Sequence, residues 1–176
     1  VTCAEYIDFL NDLATDSPPA AAEHAPRTED RGIYFPRDDA GRFHLPEEDT
    51  EGDEWHPDWP VCMVNYHDAA AYADWLSARL GVELRLPTEP EWEKAARGVD
   101  GRLYPWGDHF DASFCKMKES TQAKPMPAPV ASFEADLSPY GVTDMAGNLI
   151  EWTSTATDDA DERKVIQGAS FNSIAM

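Results

Sequence analysis

Residues 141–153 read Gly-Val-Thr-Asp-Met-Ala-Gly-Asn-Leu-Ile-Glu-Trp-Thr. Gly147 and Asn148 stand at the centre of the stretch. Glycine lacks a Cβ and asparagine tolerates left-handed backbone, so the pair predicts a tight turn. Glu151 and Trp152 follow side by side. On an extended chain such neighbours point to opposite faces, one towards a core and the other towards something polar. Asp144 and Glu151 bracket the turn, seven residues apart. Carboxylates combined with turn carbonyls make the donor set of a hard cation such as calcium. The same residues also suit a solvated turn capped by Asp144, with Trp152 as plain core.

Working outward, the clearest periodicity lies upstream. Thr88 followed by Glu91 predicts a capping box, Pro90 is tolerated in the first turn, and Gly98 ends a helix over about 89–97. Trp92, Ala95 and Ala96 fall on its inner face. Asp68 is read as the cap of a second helix reaching Leu80, with Gly81 as its stop. Ala69, Tyr72, Ala73, Leu76 and Leu80 share one face of that helix. Residues 61–65 read as a short strand. Thr2 and Glu5 predict another capping box, opening a helix over about 3–14 with Tyr6, Phe9, Leu10 and Leu13 on one side.

Residues 15–60 differ in character. Prolines at 18, 19 and 26 interrupt regular structure, and Asp38-Asp39 and Glu47-Glu48-Asp49 concentrate negative charge. Tyr34, Phe35, Phe43, Trp55 and Trp59 argue against pure disorder. The segment reads as a long acidic insertion or loop with a short hairpin near Ile33 to Leu45. Beyond Gly98, glycines and prolines punctuate short segments, which predicts irregular structure with short strands.

The 176 residues suit one domain, and no apolar run approaches the ~20 residues of a membrane helix. Acidic residues outnumber basic ones 34 to 14, giving a net charge of −20. Phosphate backbones and anionic membrane surfaces would be repelled, so neither is expected as a partner. Cys3, Cys62 and Cys115 match no zinc spacing and read as three free thiols of a reducing, cytoplasmic setting. The five histidines show no metal-ligand spacing.

Several motifs in order carry a resemblance. Residues 147–153 (GNLIEWT) resemble the GN-x-x-EWT signature of the formylglycine-generating-enzyme (sulfatase-modifying factor) family. Residues 86–98 (LPTEPEWEKAARG), 104–108 (YPWGD), 129–133 (PVASF), 140–145 (YGVTDM) and 165–172 (VIQGASFN) resemble further elements of that family. The resemblance runs from about residue 60 to the C-terminus and, more weakly, over the first helix. It implies an α+β, C-type-lectin-like fold with a small antiparallel sheet, helices and much loop. It also implies a single domain over 1–176 that is a piece of a longer chain.

For chemistry the resemblance implies both a gain and a loss. The family holds a structural calcium at this turn, and position by position its ligands are Asp144, the carbonyls of Gly147 and Leu149, and Glu151. One ion is expected, because Lys116 and Met117 fall where a second family site would lie. Members that oxidise a substrate cysteine hold copper with two cysteines. Here Gly168-Ala169-Ser170 matches the family's GGS, so Ser173 stands in the first cysteine's place, and the second would lie past Met176. A hydroxyl is a poor ligand for Cu(I). Copper is not expected, nor is the iron of the sulfoxide-synthase branch. The leading expectation is a non-catalytic binding or regulatory module, of the kind appended to a bacterial signalling protein such as a serine/threonine kinase. It takes a protein or small-molecule ligand near Trp106, Ser170, Phe171 and Asn172. The alternatives are an oxygen- and metal-dependent oxidase and a display scaffold of a diversity-generating retroelement.

Overall fold

Thr2 starts the first helix as its sequence predicts. Its Oγ1 accepts from Glu5 N at 3.2 Å and Glu5 Oε2 accepts from Thr2 N at 2.7 Å, opening α1 at Cys3–Asp16. Ser17 then caps a short helix, α2, Pro18–Glu23, whose prolines occupy first-turn positions where no N–H is needed. The sequence reading had placed only chain-breaking prolines there. The computed structural model describes residues 1–28, 32, 34–49, 52–158 and 163–174. The chain divides into two compact units, Val1–Arg85 and Leu86–Met176.

In the first unit α1 turns Cys3, Tyr6, Phe9 and Leu10 inward, where they are at most 2% exposed. Phe35, Phe43 and Tyr72 complete this core. Phe9 meets Tyr72 edge-on at 5.7 Å, an arrangement ring quadrupoles favour, while Tyr6 stacks on Tyr72 at 5.7 Å. Two of these residues come from the segment 15–60, which is tied down by its aromatics. Asn11 on α1 holds Phe43 by both backbone groups, Nδ2 donating to Phe43 O at 3.0 Å and Oδ1 accepting from Phe43 N at 2.8 Å. An antiparallel bridge pairs Arg37 with Phe43, and Asp38 Oδ1 accepts from Ala40 N and Arg42 N in the turn between them. Ile33, at the start of the expected hairpin, lies outside the described residues.

Two local readings need correction. The helix α3 runs Tyr66–Leu80, and its cap is Asn65, not Asp68. Asn65 Oδ1 accepts from His67 N and Asp68 N, while Asp68 Oδ2 returns a bond to Asn65 N at 2.9 Å. Asp68 is thus the third helical residue of a capping box, and its other oxygen is engaged by His24 Nδ1 at 3.0 Å. Residues 61–65 form no strand. Val61 N donates to Val1 O and Thr2 bridges Pro60, so the pairing is brief, and proline has no N–H to extend it. Gly81 ends α3 in the left-handed region at φ 68°, as expected.

The second unit opens with α4, Glu89–Arg97, capped by the predicted Thr88–Glu91 box. Among the described residues its sheet has two antiparallel strands, β1 Glu151–Ala156 and β2 Lys164–Gln167, with Glu151 opposite Gln167 and Trp152 opposite Ile166. Trp92 and Ala96 of α4 bury against Met145 in a small apolar cluster. The architecture is α+β with much irregular chain.

Candidate functional site

The turn at Gly147 is built by close approach. A Cβ on Gly147 would lie 2.5 Å from Lys116 O and 2.8 Å from Lys116 N, both backbone atoms. No other residue fits there without moving the chain. Asn148 beside it has φ 70° and is 2% exposed. Its Oδ1 accepts from Ala128 N and its Nδ2 donates to Ala128 O, each at 3.0 Å. Its backbone N donates to Lys116 O and its carbonyl accepts from Phe171 N, each at 2.8 Å. One asparagine thereby joins the segments around 116, 128 and 171.

Three carboxylates surround this turn. Asp136, 1% exposed, accepts from Ala146 N with both oxygens at 3.1 Å. Burial pushes its carboxyl up to about 6, against the pull of the Ala146, Gly147 and Met145 N–H groups, and the charge of Asp144 adds to the rise. Asp144 has φ 59° and its Oδ2 accepts from Ala131 N at 2.7 Å. Glu151, first residue of β1, accepts from Trp92 Nε1 at 2.5 Å. Burial raises its carboxyl, the Trp92 bond opposes that, and Asp144 raises it further. The indole N–H of Trp92 is thus a partner of Glu151, and Arg97 pairs with Glu93 on its own helix. Trp152 is half-buried.

A hard cation suits this donor set. Asp144 and Glu151 each have one oxygen taken by an N–H, and the charge of Asp144 helps raise the Glu151 carboxyl. Burial that disfavours charge on Glu151 is the condition a divalent ion relieves. The carbonyl of Gly147 accepts from Leu149 N at 2.9 Å, which leaves it a second lone pair. Among the described residues, no three His, Cys, Asp or Glu side chains gather as a metal-holding group. The calcium ligands the resemblance implies, two carboxylates and two carbonyls, are of another kind.

A thiolate metal is another matter. Ser173 Oγ accepts from Ser170 N at 2.9 Å and lies 3.2 Å from Ser170 Oγ, closing a turn on itself. The three cysteines are free, and burial pushes Cys3 to about 12 and Cys62 and Cys115 to about 11. All three therefore stay protonated at neutral pH, whereas thiolate is the ligand copper needs. The residues present do not fit a dithiolate copper.

The remaining predicted residues separate into two places. Phe171 N is bonded to Asn148 O, and Asn172 N donates to Ser170 Oγ at 3.3 Å. Trp106 instead stacks on Tyr104 at 5.3 Å, and no hydrogen bond or ring contact joins it to residues 170–172 among the described residues. Sequence reading missed Asp136 and understated Asn148. Asp136 is ten residues from the amide it holds, a spacing that belongs to no local motif.

A family model described as the sulfatase-modifying factor enzyme 1-like domain matches residues 1–175. The inactive C-alpha-formylglycine-generating enzyme 2 of Bos taurus is 36% identical over 124 residues, covering 65% of this chain and 39% of that protein. A hercynine oxygenase of Mycolicibacterium smegmatis is 34% identical over 168 residues, covering 88% of this chain and 35% of its own length. Among solved structures, that of CarF superposes with a TM-score of 0.64 at 23% identity, covering 99% of this chain and 74% of that one, which is a likeness of fold. The chain thus spans little more than a third of the length of these curated relatives.

Proposed function

The chain belongs to the sulfatase-modifying factor enzyme 1-like family, and from that premise we propose that it is a non-catalytic binding or regulatory module. The observation that carries this reading is Ser173, whose hydroxyl is bonded to Ser170 N where the oxidising members need a thiolate. Likeness to a relative named as inactive supports it. The irregular chain of the second unit, with Trp106 and residues 170–172, supplies the surface for a protein or small-molecule ligand. One calcium ion, held by Asp144, the carbonyls of Gly147 and Leu149, and Glu151, serves structure by offsetting the repulsion between the two carboxylates. Three free cysteines suit a reducing, cytoplasmic setting.

The purified chain, given Cu(I), oxygen and a cysteine peptide of the kind sulfatases carry, should leave the peptide mass unchanged. Conversion above a metal-free control would overturn the reading. A second reading, oxygen-dependent chemistry at iron, is favoured by the hercynine oxygenase likeness over 88% of this chain. Oxygen uptake by the Fe(II)-treated protein with a thiol and an imidazole substrate would select it.

A further inference from the structure

Away from the Gly147 turn, four aromatic rings stand in a row. Tyr104 and Trp106 are stacked at 5.3 Å with planes 6° apart. Phe110 leans on Tyr104 at 5.7 Å, and Phe114 meets Trp106 edge-on at 5.6 Å. This row is not core, since Phe110 is 43% and Phe114 36% exposed. It is held without a ligand. Tyr104 N donates to Gly107 O at 2.8 Å, Gly107 N returns to Tyr104 O at 3.1 Å, and Trp106 Nε1 donates to His109 O at 2.8 Å.

Two exposed carboxylates, Asp108 and Asp111, lie in the chain segment that carries the row. Asp108 is exposed, and its Oδ1 accepts from Leu103 N at 3.0 Å, which sets it next to Tyr104. Asp111 is exposed; its Oδ1 accepts from Ser113 N at 2.9 Å and Ser113 Oγ at 2.6 Å, which leaves Oδ2 for a partner, and its backbone carbonyl accepts from Phe114 N at 3.1 Å. The nearby cation Arg102 is already bound to Asp100, with Nη2 donating to Oδ2 at 2.6 Å. Ring faces are electron-rich, and a guanidinium both stacks on them and pairs with carboxylates. With the chain at −20 overall, the surface is complementary to a positively charged partner.

We propose that this row binds arginine side chains of a basic protein segment. The inference rests on the binding-module reading and names its partner class. Fluorescence polarisation of a labelled peptide with three arginines spaced by serine, against the same peptide with glutamine and one with proline, tests it. The arginine peptide should bind at least about tenfold more tightly than either control. Phe110→Ala makes no change in charge and removes a ring with no hydrogen bond to lose. It should weaken arginine-peptide binding about twofold to fivefold, the range for one exposed cation–π contact. Asp108→Asn with Asp111→Asn should weaken it further at low salt.

Equal binding of the arginine and glutamine peptides overturns the proposal, as does tighter binding of the proline peptide. So does a Phe110→Ala protein that binds as before, because attraction would then come from bulk charge alone. Formylglycine formation in the copper assay would overturn the non-catalytic reading and leave arginine recognition by the row standing, so the two failures are distinct.

Discussion

In the unit Val1–Arg85 the best-covered side chains include Cys3, Tyr6, Leu10 and Phe35; in Leu86–Met176 they include Asp136, Thr153 and Cys115, with Asn148 at 2% exposure. Among the described residues, Asp68 is the buried charged or polar residue of the first unit, whereas the second has Lys116, Asp136, Ser138, Asn148 and Thr153. Apolar contact is non-directional and stabilises a shape without prescribing where any single polar atom lies. Buried hydrogen bonds are directional and costly to leave unmade, so they fix atoms in place. The unit with the polar interior is the one that holds the Gly147–Asn148 turn in place. Its stability should answer to metal, and that of the first unit should not.

Four experiments probe that contrast, the largest effect first. Phe9→Ala empties a site 2% exposed and in contact with Tyr6, Tyr72 and Trp75. Denaturant unfolding should show a loss of about 3–5 kcal/mol, unchanged by calcium or EDTA. A loss below about 1 kcal/mol would mean that the aromatic core does not hold its unit.

Gly147→Ala is the counterpart in the polar unit. Gly147 is not in the left-handed region, so the cost comes from the clash with Lys116 backbone rather than from conformation. About 3 kcal/mol should be lost. A melting temperature equal to that of the parent would show that the segment around 116 gives way freely.

Calcium follows. An ion that binds the folded chain alone stabilises it by about 2.7 kcal/mol at ~100 times its dissociation constant. EDTA should lower the melting temperature, and Glu151→Gln should remove most of that difference. Identical melting curves in calcium and EDTA would eliminate the ion and leave the fold as described.

The smallest effect is the one the two units share. Thr2→Ala and Thr88→Ala each remove a cap of the same geometry, and each should cost about 1 kcal/mol. Unequal costs would show that unit context reaches even local motifs. The first box also carries a pH signature. The Thr2 N–H is the chief cause holding Glu5 below its ordinary 4.5. A depressed folded value contributes stability that is present above about pH 4.5 and is lost as pH falls through the lower folded value. Glu5→Gln should flatten that acid limb of the melting-temperature profile, and an unaltered limb would assign it elsewhere.

Caps, stops and the Gly147–Asn148 turn were legible in the sequence because each depends on residues within about four positions of one another. Three of the four helices and the antiparallel pairing follow from such signals together with apolar period and the ordered motifs. The exception among caps is instructive. Asn65 and Asp68 share one reciprocal box, both are capping residue types, and only the backbone angles of Asn65, φ −86° and ψ 176°, tell which is the cap. Asp144 and Glu151 were legible as carboxylates beside a turn.

What surrounds them was decided by tertiary structure. Trp92 reaches Glu151 across 59 positions, Asn148 holds Ala128 across 20, and Asn11 clamps Phe43 across 32. Contacts at such separations leave no period and no neighbouring cue, because they are selected by which buried donor finds which buried acceptor once the chain has closed. Asp136 shows the consequence. In the chain it is one acidic residue among 34, and in the fold it is a buried carboxylate at the N–H of Ala146, with its proton affinity raised by that burial.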